Sequence, residues 1–429
     1  MSGVTVVTAD RIHQPRAHAA VRTGEYVFSQ LIPYIGNKRK LLHVIDAAVR
    51  HSGCRGGLFV DLFTGSTVVA RWAKKQGFAV LANDWEPYAC QIARGTVALN
   101  AVPAFKALGG AAAVFDKLNA LRPLDGYVST HLCPFDDAAA DPLTERMFFT
   151  RANGMRIDAI REQLAQWHAQ GKIDDDELAY VLAALIYAVS YASNTSGVFK
   201  GYHHGWGGRT GTALYRILAP LTLSPPLLHD NDRTNLATQA DAQALAGRLT
   251  ETLGRTPDIV YIDPPYNQHP YGSNYHVLNT VALWDKPALG AVTQARGNKA
   301  AIRTDWRTSR RSAYNHASQA AAAFADLIAT VQARHILVSY STDGTIPLAE
   351  VLAPLAARGA LHVFTQAYKR YRVSTPRMSA KSHTVEFVAA CDTAGTPQRR
   401  KDVERMSENI LQQEQRGRGR AGLRGFKGR

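Results

Sequence analysis

Apolar residues along this chain alternate between strand-length runs and helix-length periodic stretches. Leu58 to Phe63 is a short apolar run, followed by Thr64-Gly65-Ser66-Thr67 and a helical stretch from Val68 to Gln76 that Gly77 stops. A second strand is predicted at Phe78 to Ala82, which completes strand, tight turn, helix, strand. That βαβ unit implies a parallel sheet. Upstream, a helix is expected over Leu41 to Val49. The alternation stops between Asn100 and Pro257, where helical segments are broken by Gly- and Pro-containing loops. It resumes with a buried strand at Asp258 to Ile262, a helix from Ser312 to Gln332, a strand from His335 to Ser341, a helix from Leu348 to Arg358 and strands at 361–371 and 383–391.

These patterns divide the 429 residues into a flexible arm (1–25), a first core segment (26–100), an inserted region (101–257), a second core segment (258–396) and a basic tail (397–429) whose composition predicts disorder. Leu178 to Ala192 is the longest apolar stretch. It is too short to span a bilayer and reads as a buried helix; with no secretory pattern at the N-terminus, a cytoplasmic protein is expected. The four cysteines lack zinc-ligand or disulfide spacing, so no metal is expected. Fifty Lys and Arg against 35 acids give a net charge of +15, which suits a polyanionic partner such as DNA.

Three segments carry candidate chemistry. In the first βα turn, Asp61, Phe63, Gly65 and Ser66 stand where a cofactor meets helix amides, without the full glycine spacing of a dinucleotide site. Nineteen residues after Gly65, Asp84 is placed to accept ribose hydroxyls, with Trp85 beside it for an adenine face. In Asp263-Pro264-Pro265-Tyr266, two prolines end a core strand and stiffen the loop. An aryl amine is a poor nucleophile until acceptors draw on its hydrogens. Asp263 and the Pro264 carbonyl can serve as those acceptors, while Tyr266 can stack on an extruded base. Near the N-terminus, Tyr34, Gly36 and Lys38 form a basic turn in which Lys38 could pair with a methionine carboxylate. Taken alone, this last segment reads equally well as a solvated loop.

In their order, Tyr34-x-Gly-Asn-Lys38, Asp61-x-Phe-x-Gly65-Ser66, Asn83-Asp84 and Asp263-Pro-Pro-Tyr266 resemble the alpha-group, Dam-like N6-adenine DNA methyltransferases. The resemblance covers residues 30–395. It implies an α/β, Rossmann-like mixed sheet whose last strands form a hairpin, with an inserted, mainly helical target-recognition domain. It also implies S-adenosyl-L-methionine (AdoMet) as cofactor, contacted by Tyr34, Lys38, Asp84 and Asp263, and duplex DNA as partner. Val338 to Thr342 resembles a later motif lining the base pocket. The counterpart of the target-reading hairpin is Asn194 to Arg209, whose composition departs from the GATC readers, so no recognised sequence is carried over. Within it Asn194, Phe199, Lys200, Tyr202, His204 and Arg209 are candidate DNA contacts, and Arg303, Arg307, Arg310 and Arg311 form a candidate phosphate clamp. Rival readings are methylation of an RNA base amine or of cytosine N4. Cytosine C5 chemistry lacks a thiol near the site loops.

Overall fold

The computed structural model describes residues 6–8, 25–211, 213–268, 270–293, 299–303, 305–369 and 383–422. Its centre is an eight-stranded sheet of order β1-β7-β8-β6-β5-β2-β3-β4. The strands are β1 (Val6–Thr8), β2 (Gly57–Asp61), β3 (Phe78–Asp84), β4 (Leu236–Gln239), β5 (Ile259–Ile262), β6 (His335–Ser341), β7 (Ala360–Lys369) and β8 (His383–Asp392). β5 and β6 are buried along their whole length, as expected of strands covered on both faces. Strands β1 to β6 each pair in parallel, whereas β8 runs antiparallel between β6 and β7, the mixed sheet with a terminal hairpin that the resemblance implies.

Strand order reverses between β2 and β5, because the chain builds outward to β3 and β4 on one side and later to β6 on the other. A crevice opens at such a switch point beyond the carboxyl ends of the strands. Register places it: Asp61 lies opposite both Ala82 and Tyr261, so Asp84 and Asp263 each overhang the same edge by two residues.

Helices cover both faces. Leu42, Val44, Ile45 and Ala48 of α1 (Leu42–His51), with α2 (Val68–Lys75), bury one face against Phe59, Leu337, Phe364 and Val388. The Ala317–Thr330 and Leu348–Arg358 helices bury the other against Val260, Ile336 and Phe387. A third core belongs to a helical lobe built on the Arg151–Ala169 and Asp175–Ala192 helices. The latter opens with a capping box, in which Asp174 accepts the Glu177 N–H (2.8 Å) and Glu177 accepts the Asp174 N–H (3.1 Å).

Three boundaries differ from the sequence reading. Residues 397–429 were expected to be disordered, yet Arg400–Gly422 is helical and buries Val403, Met406 and Ile410 beside Leu355 and Val363. Apolar residues at i, i+3 and i+7 suffice to dock a helix that is otherwise charged. Residues 423–429 lie outside the described residues. The N-terminal arm contributes β1, which pairs with Val363–Thr365. The stretch 101–257 is not wholly inserted, since β4 returns to the sheet beside β3, and residues beyond 257, including Tyr275, Val277, Leu278 and Ala300, pack into the helical lobe.

Candidate active site

The β2–α2 turn must pass under the Tyr34 ring. Gly65 has φ +47°, and a Cβ there would stand 2.7 Å from Tyr34 ring atoms, so only glycine fits. Its N–H donates to Asp84 Oδ2 (2.8 Å), and the Glu86 N–H donates to Asp84 Oδ1 (2.9 Å). These two bonds fix the carboxylate at the end of β3 and leave lone pairs directed outward. Burial raises the Asp84 pKa to about 6 even though both N–H groups and Arg310 oppose the shift. Asn83 secures the base of the turn by donating to Leu62 O (3.0 Å) and Ala240 O (3.1 Å).

On the far side of the crevice Pro264 and Pro265 end β5, and Asp263 pairs with the buried Lys38 ammonium (Nζ–Oδ1 2.9 Å). Lys38 also donates to Gly36 O (2.9 Å) and Tyr266 Oη (2.6 Å), which hold its ammonium beside the carboxylate. Lys38, expected to pair with a methionine carboxylate, thus stands at the cavity with its ammonium turned to Asp263. Burial pushes the Asp263 pKa up to about 6, and Lys38 restrains it. Burial, the largest single influence, would lower the Lys38 pKa, but Asp263 together with Tyr266, Tyr261 and Glu386 outweighs it and raises the pKa well above the usual lysine range. The Tyr266 ring is braced edge-on by Tyr340 (5.2 Å), and its carbonyl accepts from Thr345 N (3.1 Å). Tyr340 of the Val338–Thr342 segment thus backs the loop.

Between these two carboxylates lies a cavity of about 320 Å³. Its lining includes the expected Tyr34, Gly36, Lys38, Phe63, Asp84, Trp85 and Asp263 to Tyr266. Asp61, Gly65 and Ser66 stand behind the wall and do not line it. Asp61 is almost fully buried; burial first, and the Asp263 charge second, raise its pKa to about 8. The lining also includes Glu86, Tyr271, Tyr314 and Arg310, which sequence reasoning did not assign to this site. Tyr34 stacks against Tyr271 and Tyr275, with centroids 5.2 Å away in each case. Glu86 accepts from Asn279 Nδ2 (2.6 Å), and burial lifts its pKa to about 7.

A ligand of one adenosyl group plus an amino-acid tail suits this cavity. Its lining sets the carboxylates of Asp84 and Asp263 among the aromatic surfaces of Tyr34, Phe63, Trp85, Tyr266, Tyr271 and Tyr314, which suits the hydroxyls and adenine ring of AdoMet. Among the described residues no group of His, Cys, Asp or Glu could hold a metal ion, and no helix is long and apolar enough to cross a membrane.

The assigned DNA contacts separate into two sets. Lys200, His204 and Arg209 are exposed on the 194–211 loop, where His204 Nε2 meets Lys299 Nζ (2.7 Å). Asn194, Phe199 and Tyr202 are buried, a correction with a clear cause. Asn194 Nδ2 donates to Met147 O (3.0 Å) and His203 O (3.1 Å) while its Oδ1 accepts from Gly207 N (3.0 Å), Phe199 packs in the lobe core, and Tyr202 Oη donates to Glu145 O (2.9 Å). These three residues shape the loop from beneath. The phosphate clamp also changes character. Arg303 is ion-paired to Asp285 and Asp305 and lies over the Trp306 ring (4.4 Å); Arg310 donates to Trp85 O and lies between the rings of Trp85 (5.3 Å) and Trp306 (4.2 Å). Arg311 is exposed at the cavity rim, and the Arg307 side chain lies outside the described residues.

Residues 34–328 match the model of the D12 class N6 adenine-specific DNA methyltransferases. Among similar proteins, Modification methylase StsI of Streptococcus sanguinis is 30% identical over 79% of this chain and 48% of its own length. Modification methylase LlaI of Lactococcus lactis subsp. lactis is 30% identical over 83% of this chain and 54% of its own length. Type II methyltransferase M.NlaIII of Neisseria lactamica is 28% identical over 79% of this chain and 92% of its own length. The chain therefore spans about half the length of the first two and nearly all of the third. The match over 34–328 takes in Tyr34, Lys38, Asp84 and the Asp263 loop, and by it the chain belongs to the D12 class N6 adenine-specific DNA methyltransferase family.

Proposed function

We infer that this protein transfers a methyl group from AdoMet to the N6 amino group of adenine in duplex DNA. The observation that carries the reading is the partly buried Asp263, ion-paired to Lys38 at 2.9 Å on a proline-stiffened loop, facing Asp84 across one cavity. Bound there, AdoMet supplies an electrophilic methyl group on its sulfonium. Asp84 holds the ribose hydroxyls through its outward lone pairs. Asp263 and the Pro264 carbonyl accept the two hydrogens of the target amine, which frees its lone pair for attack along the line of the cavity. The Tyr266 ring supports the extruded base. As the nitrogen gains the methyl group it gives up one proton, which the Asp263 carboxylate, already accepting from that amine, takes. Lys38 keeps that carboxylate ionised until then.

The target-recognition role falls to the helical lobe, whose 194–211 loop is tied to the cavity wall. The Phe199 N–H donates to Asn274 O (2.7 Å), one turn beyond the cavity-lining Tyr271, and a Cβ on Gly197 would meet Pro33 at 3.1 Å. The relatives' names support a modification role beside a restriction endonuclease. The test is methyl transfer from labelled AdoMet to duplex DNA and to RNA, followed by nucleoside analysis. N6-methyladenine in DNA is expected; label in RNA, or N4-methylcytosine as the product, would overturn the reading.

A further inference from the structure

Two large apolar side chains stand out on the surface of the helical lobe: Phe135 is 79% exposed and Tyr215 is 72% exposed. Their settings differ in charge. Phe135 lies among Asp136, Asp137, Asp141 and Glu145, with the Arg151 guanidinium over its ring. Tyr215 lies in a stretch, residues 178–229, that contains no Asp or Glu at all. Around it the surface continues through Tyr191, Leu214 and Leu218, each more than a third exposed.

This second patch is organised. Tyr187 and Tyr191 stack one turn apart (5.9 Å), Tyr215 Oη lies 3.4 Å from Tyr191 Oη, and the Arg216 guanidinium covers the Tyr191 ring (5.6 Å) while donating to the Ser193 carbonyl (3.2 Å). The C-terminal end of the Asp175–Ala192 helix and the short Leu214–Ile217 helix are thereby joined into one face. The face flanks both ends of the 194–211 loop, which carries the exposed Lys200 and Arg209 and is bonded to the cavity wall through Phe199 and Asn274. An apolar, hydroxyl-bearing patch of this kind, set with Arg216 in an acid-free stretch of chain, complements the sugar and base edges of a nucleic acid, where apolar side chains act as wedges and aromatic rings as stacking surfaces.

We propose that the Tyr191–Leu214–Tyr215–Leu218 face docks on duplex DNA beside the target base, supplying a salt-insensitive contact that complements the phosphate contacts of Lys200 and Arg209. This rests on the DNA-methyltransferase reading. Because Tyr215 is mostly exposed, replacing it disturbs little packing.

The experiment measures duplex binding by the full chain, with AdoMet present, at several salt concentrations for wild type, Tyr215→Ser, Leu218→Ser, Arg209→Ala and Phe135→Ser. Tyr215→Ser is expected to weaken binding by about 5- to 50-fold with an unchanged salt slope, the loss of roughly one stacking contact. Arg209→Ala should instead lower the slope by about 0.9, as loss of one phosphate contact does. Phe135→Ser should leave both unchanged. Covalent labelling of tyrosines in the wild-type protein gives an arm independent of substitution, since Tyr215 should be protected by duplex DNA and not by AdoMet alone. Wild-type affinity in Tyr215→Ser and Leu218→Ser, or labelling of Tyr215 that DNA does not reduce, overturns the proposal. So does protection that depends on protein concentration without DNA, which would make the face a contact between two copies of the chain. Failure of the wild type to bind DNA at all would instead defeat the methyltransferase reading.

Discussion

Lys38→Met is the most informative substitution, because it separates two roles for one ammonium. If Lys38 neutralises Asp263, its loss acts on the carboxylate; if it grips the cofactor's tail, its loss acts on cofactor affinity. At an effective dielectric of about 20, unit charges 2.9 Å apart attract by about 6 kcal/mol before desolvation is counted. A charge-assisted hydrogen bond retains about 1.5 to 3 kcal/mol of that in net terms. Removing it should raise the Asp263 pKa by about one to two units at 1.36 kcal/mol each. Asp263 must be ionised to accept the amine hydrogens, so activity rises with pH through its pKa. The acid limb of kcat/KM should therefore move from about 6 in the wild type to roughly 7 to 8 in Lys38→Met. Lys38→Arg should retain an acid limb near the wild-type position if its longer side chain still reaches Asp263. Initial rates of methyl transfer between pH 5 and 9, with AdoMet affinity measured calorimetrically at each pH, provide the readout. An acid limb that stays in place while AdoMet affinity collapses would refute the reasoning and restore the methionine-carboxylate role.

Asp263→Ala should abolish nearly all methyl transfer in single-turnover assays while AdoMet still binds, since an acceptor needed in the transition state is removed. Asp84→Ala should weaken AdoMet binding by about 1.5 to 3 kcal/mol per lost hydrogen bond, read by calorimetry. The Asp61 pKa is raised from 3.8 to about 8, so the folded state holds its proton more tightly than the unfolded chain does and stability falls as pH rises between those values. Asp61→Asn should flatten that decline, and thermal unfolding at pH 6 and 8.5 compares the two slopes. Met406→Ala should cost about 2 to 5 kcal/mol in denaturant unfolding because the side chain is fully buried against the sheet-covering helices; an unchanged midpoint would mean the C-terminal helix is not docked.

The parts of this molecule that were legible in its sequence are those that local chemistry dictates. Pro264 and Pro265 end a strand, Gly65 marks a tight turn, and the apolar run Ile259 to Ile262 ahead of them reads as a buried strand, which β5 is. The helix expected from Ser312 began five residues later, at Ala317, because Ser312 to Asn315 are drawn out to line the cavity. β4 escaped notice because its four residues are half-exposed and carry no apolar pattern. Glu86, Tyr271 and Tyr275 lie in unremarkable sequence and acquire meaning only when distant elements meet. The buried Asn194 shows the reverse error: a polar residue in a glycine-rich loop looked available to a ligand, yet its amide is spent on four backbone partners within its own lobe.

The composition of the helical lobe bears on how this enzyme could be re-engineered. Its core is closed by Tyr275, Val277, Leu278, Val281, Ala300 and Ala301, which follow the Asp263 loop in the chain, and it leans on Tyr88 and Ile92 of the helix after β3 (Pro87–Ala93). A chimera that swaps residues 101–257 alone would therefore set a foreign core against native core residues that precede and follow it in the chain. A transplantable cassette has to include the downstream 270–302 segment as well, and the Asp263 loop then sits between its two pieces, so exchanging the lobe without re-registering that loop demands two coordinated splices rather than one.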